Sequence, residues 1–349
     1  MSMFFSFPTE GGAGEKEYPL NMKKFLALAC AACVLLCTAS CASIVTASRD
    51  TSAVTDIIET TALTEDMTAS SESAEASSSN GTTYPLRLTD SFGNAAVIES
   101  EPMRIVSCAP NITELLFELG AGEKLVGRTD YCNYPAEVAD IATVGSIDVP
   151  SIEAIVALEP DVVIASSIFT EGSYDALTEI GITVVIFHDE YDIDGVRNMI
   201  RSVGEIINGN AAAEERIGDM NARIRTATES VAGKDRPTVY YAVSFGEYGD
   251  YTAGGDTFVN QMIETAGGDN IASDITGWSF SVEKLIEADP DVILINQYML
   301  DEFIATEPYS GLSAVKNGRV YGVDADLLER QGFRNAEGIE LLVSLLYPQ

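Results

Sequence analysis

The sequence predicts an α/β protein made of two similar lobes, each with a parallel-type central sheet, joined by a long rigid helix. Three observations carry that prediction. Short runs rich in Val, Ile and Leu alternate with helical segments, the pattern of strands buried on both faces between helices. One αβ unit occurs twice, starting at Ser151 and again at Ser281, 130 residues on (281 minus 151), which implies two similar lobes. Between the copies lies an amphipathic stretch from about Ala212 to Val231, long enough to span roughly 30 Å as a helix.

The first 83 residues read as export and tether rather than as fold. Residues 1–21 are polar and carry Glu15-Lys16-Glu17, an acidic leader that would bury the basic pair Lys23-Lys24, so Met22 reads as the true start. Phe25 to Ser40 is uncharged for 16 residues, short for a membrane-spanning helix of roughly 20. A basic region, an apolar region and small residues before a cut site make 22–41 a signal peptide. Thr38-Ala39-Ser40-Cys41 resembles a bacterial lipobox, which implies acylation of Cys41 and an anchor on the outer face of the cytoplasmic membrane; the alternative is a plain secreted protein cut near Ala39 or Ala42. Residues 42–83 hold 18 Ser or Thr, one basic and seven acidic residues, a composition expected to stay disordered as a tether.

The body is expected as an N-terminal lobe over 84–193, a connecting helical region over 194–232 and a C-terminal lobe over 233–349. Leu86–Leu88 and Ala95–Ile98 flank Asp90-Ser91-Phe92-Gly93 as a hairpin with a turn Gly. Arg104–Ser107 reads as a strand, and Thr113–Leu119, closed by Gly120, as a short helix. Further buried strands are expected at Asp161–Ala165, Thr183–Phe187, Thr238–Tyr241 and Asp291–Ile295. In each repeat copy a Ser caps a helix, a Glu (Glu153, Glu283) sits in its first turn where the helix dipole favours an anion, and Pro-Asp stops the helix before an apolar strand. Asp194 reads as the cap of a connecting helix that stops at Asn208-Gly209-Asn210, ahead of the long helix.

Composition excludes several functions. The 349 residues carry 20 Lys+Arg against 54 Asp+Glu, a net charge of −34, which opposes binding to nucleic acid or to anionic lipid through a basic surface. The charge divides as 0 for residues 1–41, −6 for 42–83 and −28 for the body, which holds 16 basic and 44 acidic residues. A single His, His188, excludes multi-imidazole metal sites, and no metal site is expected. No Gly-x-Ser-x-Gly elbow or phosphate-binding Gly-x-x-x-x-Gly-Lys loop is present, so no enzyme chemistry is expected. Once Cys30, Cys33 and Cys37 leave with the signal, Cys108 and Cys132 remain, either paired as a disulfide or as two buried thiols.

Leader, tether, two α/β lobes and connecting helix together resemble the helical-backbone substrate-binding proteins of ABC importers, the group that serves cobalamin, haem and ferric siderophores. The phrases that carry the likeness over 84–349 include Thr113-Glu114-Leu115, Asp130-Tyr131-Cys132-Asn133-Tyr134-Pro135, both Glu-containing repeats, Gly267-Gly268-Asp269-Asn270-Ile271 and Ala314–Tyr321. The resemblance implies a ligand cleft between the lobes, no cofactor of its own, a monomer, and a permease dimer with its ATPase subunits as partner. Within the group the sequence is most similar to cobalamin-binding proteins, which implies cobalamin or a related corrinoid as the transported ligand, with haem or a ferric siderophore as the alternative. Mapped onto that likeness, Tyr131, Tyr251, Trp278, Asp326 and Arg330 stand where cleft residues stand. Asn111, where a small residue is usual, and Ile147, where an aromatic is usual, are departures. Glu153 and Glu283 are similar to the lobe-tip carboxylates that dock on a permease.

Each of these residues also has a plainer reading. Tyr131 and Tyr251 fit half-buried rim aromatics, Trp278 a loop anchor, Asp326 and Arg330 an i,i+4 surface pair, His188 a solvated loop residue, and the two glutamates simple dipole compensation. A carboxylate-dependent surface hydrolase and a ligand sensor are the minor functional alternatives.

Overall fold

Apolar alternation along the strands divides the interior into three layers of contact. The computed structural model describes residues 81–348, all within one compact unit. The proposed start at Met22, the signal segment with Cys41, and the tether up to residue 80 lie outside the described residues. In chain order the described elements are β1 (Leu86–Thr89), β2 (Ala95–Ile98), β3 (Ile105–Cys108), α1 (Pro110–Glu118), β4 (Leu125–Arg128), α2 (Ile152–Ala157), β5 (Val162–Ser166), α3 (Glu171–Glu179) and β6 (Val184–Phe187). The connecting helices α4 (Ile193–Ile206) and α5 (Asn210–Val231) follow. Then come β7 (Thr238–Ser244), β8 (Tyr251–Thr252), α6 (Phe258–Thr265), β9 (Asp269–Asn270), α7 (Val282–Ala288), β10 (Val292–Asn296), α8 (Leu300–Ala305), α9 (Ser313–Lys316), β11 (Val320–Val323), α10 (Asp326–Glu329) and α11 (Asn335–Leu346).

The N-lobe sheet has the order β4-β3-β5-β6 with every pair parallel. The C-lobe sheet runs β11-β10-β7-β8, parallel except for β8, with β9 also pairing β7. β1 and β2 form the expected antiparallel hairpin, its turn held by Asp90 Oδ1, which accepts from Phe92 N and Asn94 N at 3.0 and 2.9 Å.

Both sheets present the same face to one shared core. Val162 and Ile164 of β5, and the repeat-related Val292 and Leu294 of β10, join a cluster that also contains Met199 and Ile200 of α4, Ile217, Met220 and Ile224 of α5, and Ile339 and Leu342 of α11. The alternate residues face lobe-specific clusters: Val163 and Ala165 in the N-lobe, Ile293 and Ile295 in the C-lobe. The connecting helices therefore pack their apolar faces against this core, and the sequence repeat is a repeat of strand register.

The repeat extends to its polar details. Ser151 and Ser281 cap α2 and α7, accepting from Ala154 N at 3.2 Å and Lys284 N at 3.3 Å. Glu159 and Asp289 both take left-handed backbone, φ 45° and 39°, at the reversal before Pro. The Asp that follows each Pro does more than stop a helix: Asp161 Oδ2 accepts from Met103 N and Arg104 N at 2.7 and 2.8 Å, and Asp291 Oδ2 accepts from Thr238 N at 2.9 Å. Each thus ties its own strand to the start of the neighbouring one.

Three sequence expectations change. The cap of α4 is Asp192, whose carboxylate accepts from Gly195 N at 2.8 Å, while Asp194 sits in the first turn. The helix expected from Thr113 begins three residues earlier, at Pro110, because Pro at the first helical position forfeits no hydrogen bond. Residues 81–83, counted with the tether, are held to the body: Thr82 N donates to Asn208 Oδ1 at 2.8 Å and Thr82 Oγ1 to Glu205 O at 2.7 Å.

Candidate functional site

Ligands of open parallel sheets bind beyond the C-terminal ends of the strands, and here the segments that leave those ends in the two lobes touch. After β11 the chain carries Asp326 and Arg330; after β4 it carries Tyr131 and Asn133; α1, which follows β3, carries Asn111 and Glu114. Arg330 joins them. Its Nη1 lies 2.9 Å from Glu114 Oε1 and 2.6 Å from Asn133 Oδ1, and its Nη2 lies 3.0 Å from Asp326 Oδ2 and donates to Tyr131 O at 3.3 Å. The i,i+4 pair with Asp326 read from the sequence exists, but it is one limb of a junction between lobes, and the Arg330 side chain is only 15% exposed.

Arg334 enters the same junction from the start of α11. Its Nη1 is 3.3 Å from Glu114 Oε1, its Nη2 is 3.6 Å from Asp324 Oδ2, and its guanidinium stacks 4.2 Å from the centre of the Tyr134 ring. Glu114, with a side chain 8% exposed, takes both guanidiniums. Burial pushes its carboxyl above the ordinary range, against the opposing pull of Arg330 and Arg334. A second seam lies after β6, where Glu190 N donates to Gln331 Oε1 and Gln331 Nε2 donates back to Glu190 O, both at 2.7 Å.

Tyr251 and Trp278 are brought together on the C-lobe side. Thr252 N donates to Trp278 O at 2.7 Å, Gly254 N to Gly277 O at 2.9 Å and Gly255 N to Ile275 O at 2.9 Å, so the two segments are zipped side by side. This approach needs glycine: a β-carbon at Gly254 would stand 2.4 Å from Gly277 O, and one at Gly255 2.0 Å from Ser273 O. Asn270 locks the pair from below, donating to Ala253 O at 2.7 Å and Asn260 Oδ1 at 2.8 Å. Both aromatics are half-buried, and Tyr131 is 37% exposed.

Asn111 is half-buried, with its amide 3.7 Å from Met199 Sδ of α4. Ile147 is half-buried between β4 and α2. His188 is an exposed loop residue, its Nδ1 3.6 Å from Glu190 Oε1. Cys108 and Cys132 are buried free thiols, so the disulfide considered from the sequence is not formed. Thr113 Oγ1 lies 3.1 Å from Cys132 Sγ and 2.9 Å from Ser107 Oγ, a polar knot beneath the cleft. Burial pushes the Cys108 thiol far up, and the neighbouring Cys132 adds to the effect. Glu153 and Glu283 are exposed on α2 and α7, remote from this junction in sequence and each on its own lobe. Among the described residues no cluster of three or more His, Cys, Asp or Glu side chains is placed to hold a metal ion.

Residues 105–327 match the model of the family described as periplasmic binding protein. The chain belongs to that family. This periplasmic binding protein is 32% identical over 273 residues to an uncharacterised ABC transporter substrate-binding lipoprotein, YvrC, of Bacillus subtilis, a match covering 76% of this chain and 86% of the relative. It is also 32% identical over 219 residues to a cobalamin-binding protein of Halobacterium salinarum, over 60% of this chain and 58% of that one. Among solved structures, the haem-binding protein RhuT of Roseiflexus superposes with a TM-score of 0.64 at 27% identity, over 70% of this chain and 97% of RhuT. The family and these relatives are binding proteins, not enzymes, which removes the surface-hydrolase reading. The two-lobed α/β fold and the likeness to ABC-importer binding proteins read from the sequence both hold.

The junction residues Glu114, Arg334, Glu190 and Gln331 were not among the sequence-based site candidates. Glu114 had a signal: a carboxylate inside the apolar run Ile112–Leu116 needs a buried partner.

Proposed function

We propose that the protein is a lipid-anchored, extracytoplasmic substrate-binding protein that delivers cobalamin or a related corrinoid to an ABC import permease. The observation that carries this reading is the paired Tyr251 and Trp278 on the zipped C-lobe segments, set beyond the strand ends of a lobe whose Arg330 reaches Tyr131, Asn133 and Glu114 of the other. Aromatic faces suit a broad, weakly charged macrocycle, and the cobalamin-binding relative supports the choice. Tyr131, Tyr251 and Trp278 are assigned to the macrocycle faces, Asn111, Asp326 and Arg330 to its rim, and Glu153 and Glu283 to permease docking. Haem or a ferric siderophore is the second reading, favoured by the structural likeness to a haem-binding protein.

Trp278 is the sole tryptophan, so its fluorescence reports on the cleft alone. Cyanocobalamin is expected to quench it in a saturable titration. Tyr131→Ala and Tyr251→Ala should each weaken binding about tenfold or more, the loss of one stacking face. Saturable quenching by haemin or a ferric siderophore, with none by cyanocobalamin, would overturn the corrinoid assignment in favour of the second reading.

A further inference from the structure

The junction of Glu114 with Arg330 and Arg334 bears on the kind of ligand the cleft accepts. Both guanidiniums belong to the C-lobe, to α10 and α11 and the turn between them, while the carboxylate comes from α1 of the N-lobe. Arg330 is largely engaged: its Nη1 donates to Glu114 and Asn133, its Nη2 donates to Tyr131 O and is ion-paired with Asp326. Arg334 divides itself between Glu114 and Asp324 while lying over the Tyr134 ring. Three carboxylates, Glu114, Asp324 and Asp326, therefore surround two guanidiniums, and the local charge is negative.

We propose that Glu114 is a specificity residue for ligand charge: it occupies the two guanidiniums that would otherwise receive a ligand carboxylate, and so selects an uncharged macrocycle over an anionic one. The inference deepens the corrinoid reading and rests on it for placing the ligand at this junction. Stability alone does not call for the arrangement. An ionised side chain buried to this depth is held against its desolvation cost, and such clusters are commonly replaceable by neutral groups of the same shape with little loss of stability. What the carboxylate does supply is repulsion. A haem propionate or a carboxylate-bearing corrinoid approaching Arg330 or Arg334 meets like charge on guanidiniums already paired with carboxylates, and that is discrimination against a competitor rather than attraction to a partner.

The test compares the wild-type chain with Glu114→Gln, which keeps the shape and one acceptor oxygen but removes the charge, and with Asp324→Asn, at a side chain 47% exposed where folding is not at stake. The probes are haemin, cyanocobalamin, and a cyanocobalamin derivative in which one side-chain amide is a carboxylic acid. The ratio of haemin to cyanocobalamin affinity, and of acid to amide corrinoid, should rise about tenfold or more in Glu114→Gln and by a smaller factor in Asp324→Asn. Ratios that stay level or fall in both variants overturn the proposal. A wild-type chain that does not bind cyanocobalamin overturns the corrinoid reading alone. In that case the haemin affinity of Glu114→Gln relative to wild type still decides the role of Glu114, tighter binding supporting it and unchanged or weaker binding refuting it.

Discussion

Asn270 shows how much a single side chain carries. It is 4% exposed, its amide donates to Ala253 O and Asn260 Oδ1, and its Oδ1 accepts from Ala272 N at 3.1 Å. Truncation to Ala strands a buried carbonyl, a buried amide oxygen and a backbone N–H together. The expected cost is about 2–3 kcal/mol, read as a shift in the urea midpoint with unchanged slope. Because Ala253 lies two residues from Tyr251, the same change should also blur the cleft aromatics, and Trp278 fluorescence should shift in the unliganded protein. A stable variant with unaltered emission would show that the zipped segments do not depend on this knot. At this scale the sequence was partly readable. The phrase Gly267–Ile271 stood out without a reason, and the reason is Asn270. Tyr251 and Trp278 were named singly, and the glycines that let their backbones meet were not noticed as such. The role of Glu114 is not legible locally, because its partner Arg330 lies 216 residues away and no local periodicity encodes a contact of that separation.

The repeated helix is the element whose use is most open to test. α2 and α7 share a Ser cap, an exposed first-turn Glu and a buried fourth residue, Ile155 or Leu285. The caps hold the helices without help from the glutamates: Ser151 and Ser281 bond Ala154 N and Lys284 N. Glu153→Ala combined with Glu283→Ala should therefore lower stability by no more than the helix-dipole contribution of about 0.3–1 kcal/mol at each site. On the proposed reading the double variant should still bind its ligand and should fail to support uptake by cells that depend on it. Wild-type uptake by that variant would confine both residues to dipole compensation. Helices and long strands of this kind were readable because each has a period and a stop. β4, β8, β9 and β11 were not read as strands. β8 and β9 have two residues each, too few for alternation, and β4 and β11 contain a Gly within four residues, so their strand character comes from the neighbour they pair with rather than from propensity.

Charge acts on the molecule as a whole. The body's 44 acidic and 16 basic residues repel one another in the compact state, and three carboxylates add a specific cost. Burial raises Glu114, Glu190 and Asp250 above their ordinary values, against the pull of Arg330 on Glu114, of His188 on Glu190 and of the Tyr309 hydrogen bond on Asp250. A carboxyl raised by folding binds its proton more tightly in the folded chain than in the unfolded one. Its contribution therefore improves as pH falls through the raised value, and the gain is complete below the ordinary values of 4.5 for Glu and 3.8 for Asp. Four carboxyls have the opposite sign. Hydrogen bonds lower Glu101 through Lys124, Asp148 through Ser146, Asp289 through Ser313 and Glu340 through Arg223. Their contribution is present above the ordinary values and is lost as pH falls through the lowered ones. The two sets act in separate windows, so the melting temperature should climb as pH falls from 8 toward the ordinary carboxyl values and fall in more acid solution. Added salt should raise the melting temperature at pH 8 by screening the net charge. Calorimetry across that range checks both, and a melting temperature that falls steadily from pH 8 downward would show that the buried carboxyls do not govern stability. In Glu114→Gln the rise on acidification should be shallower than in the wild-type chain, because one of the three groups that produce it no longer titrates.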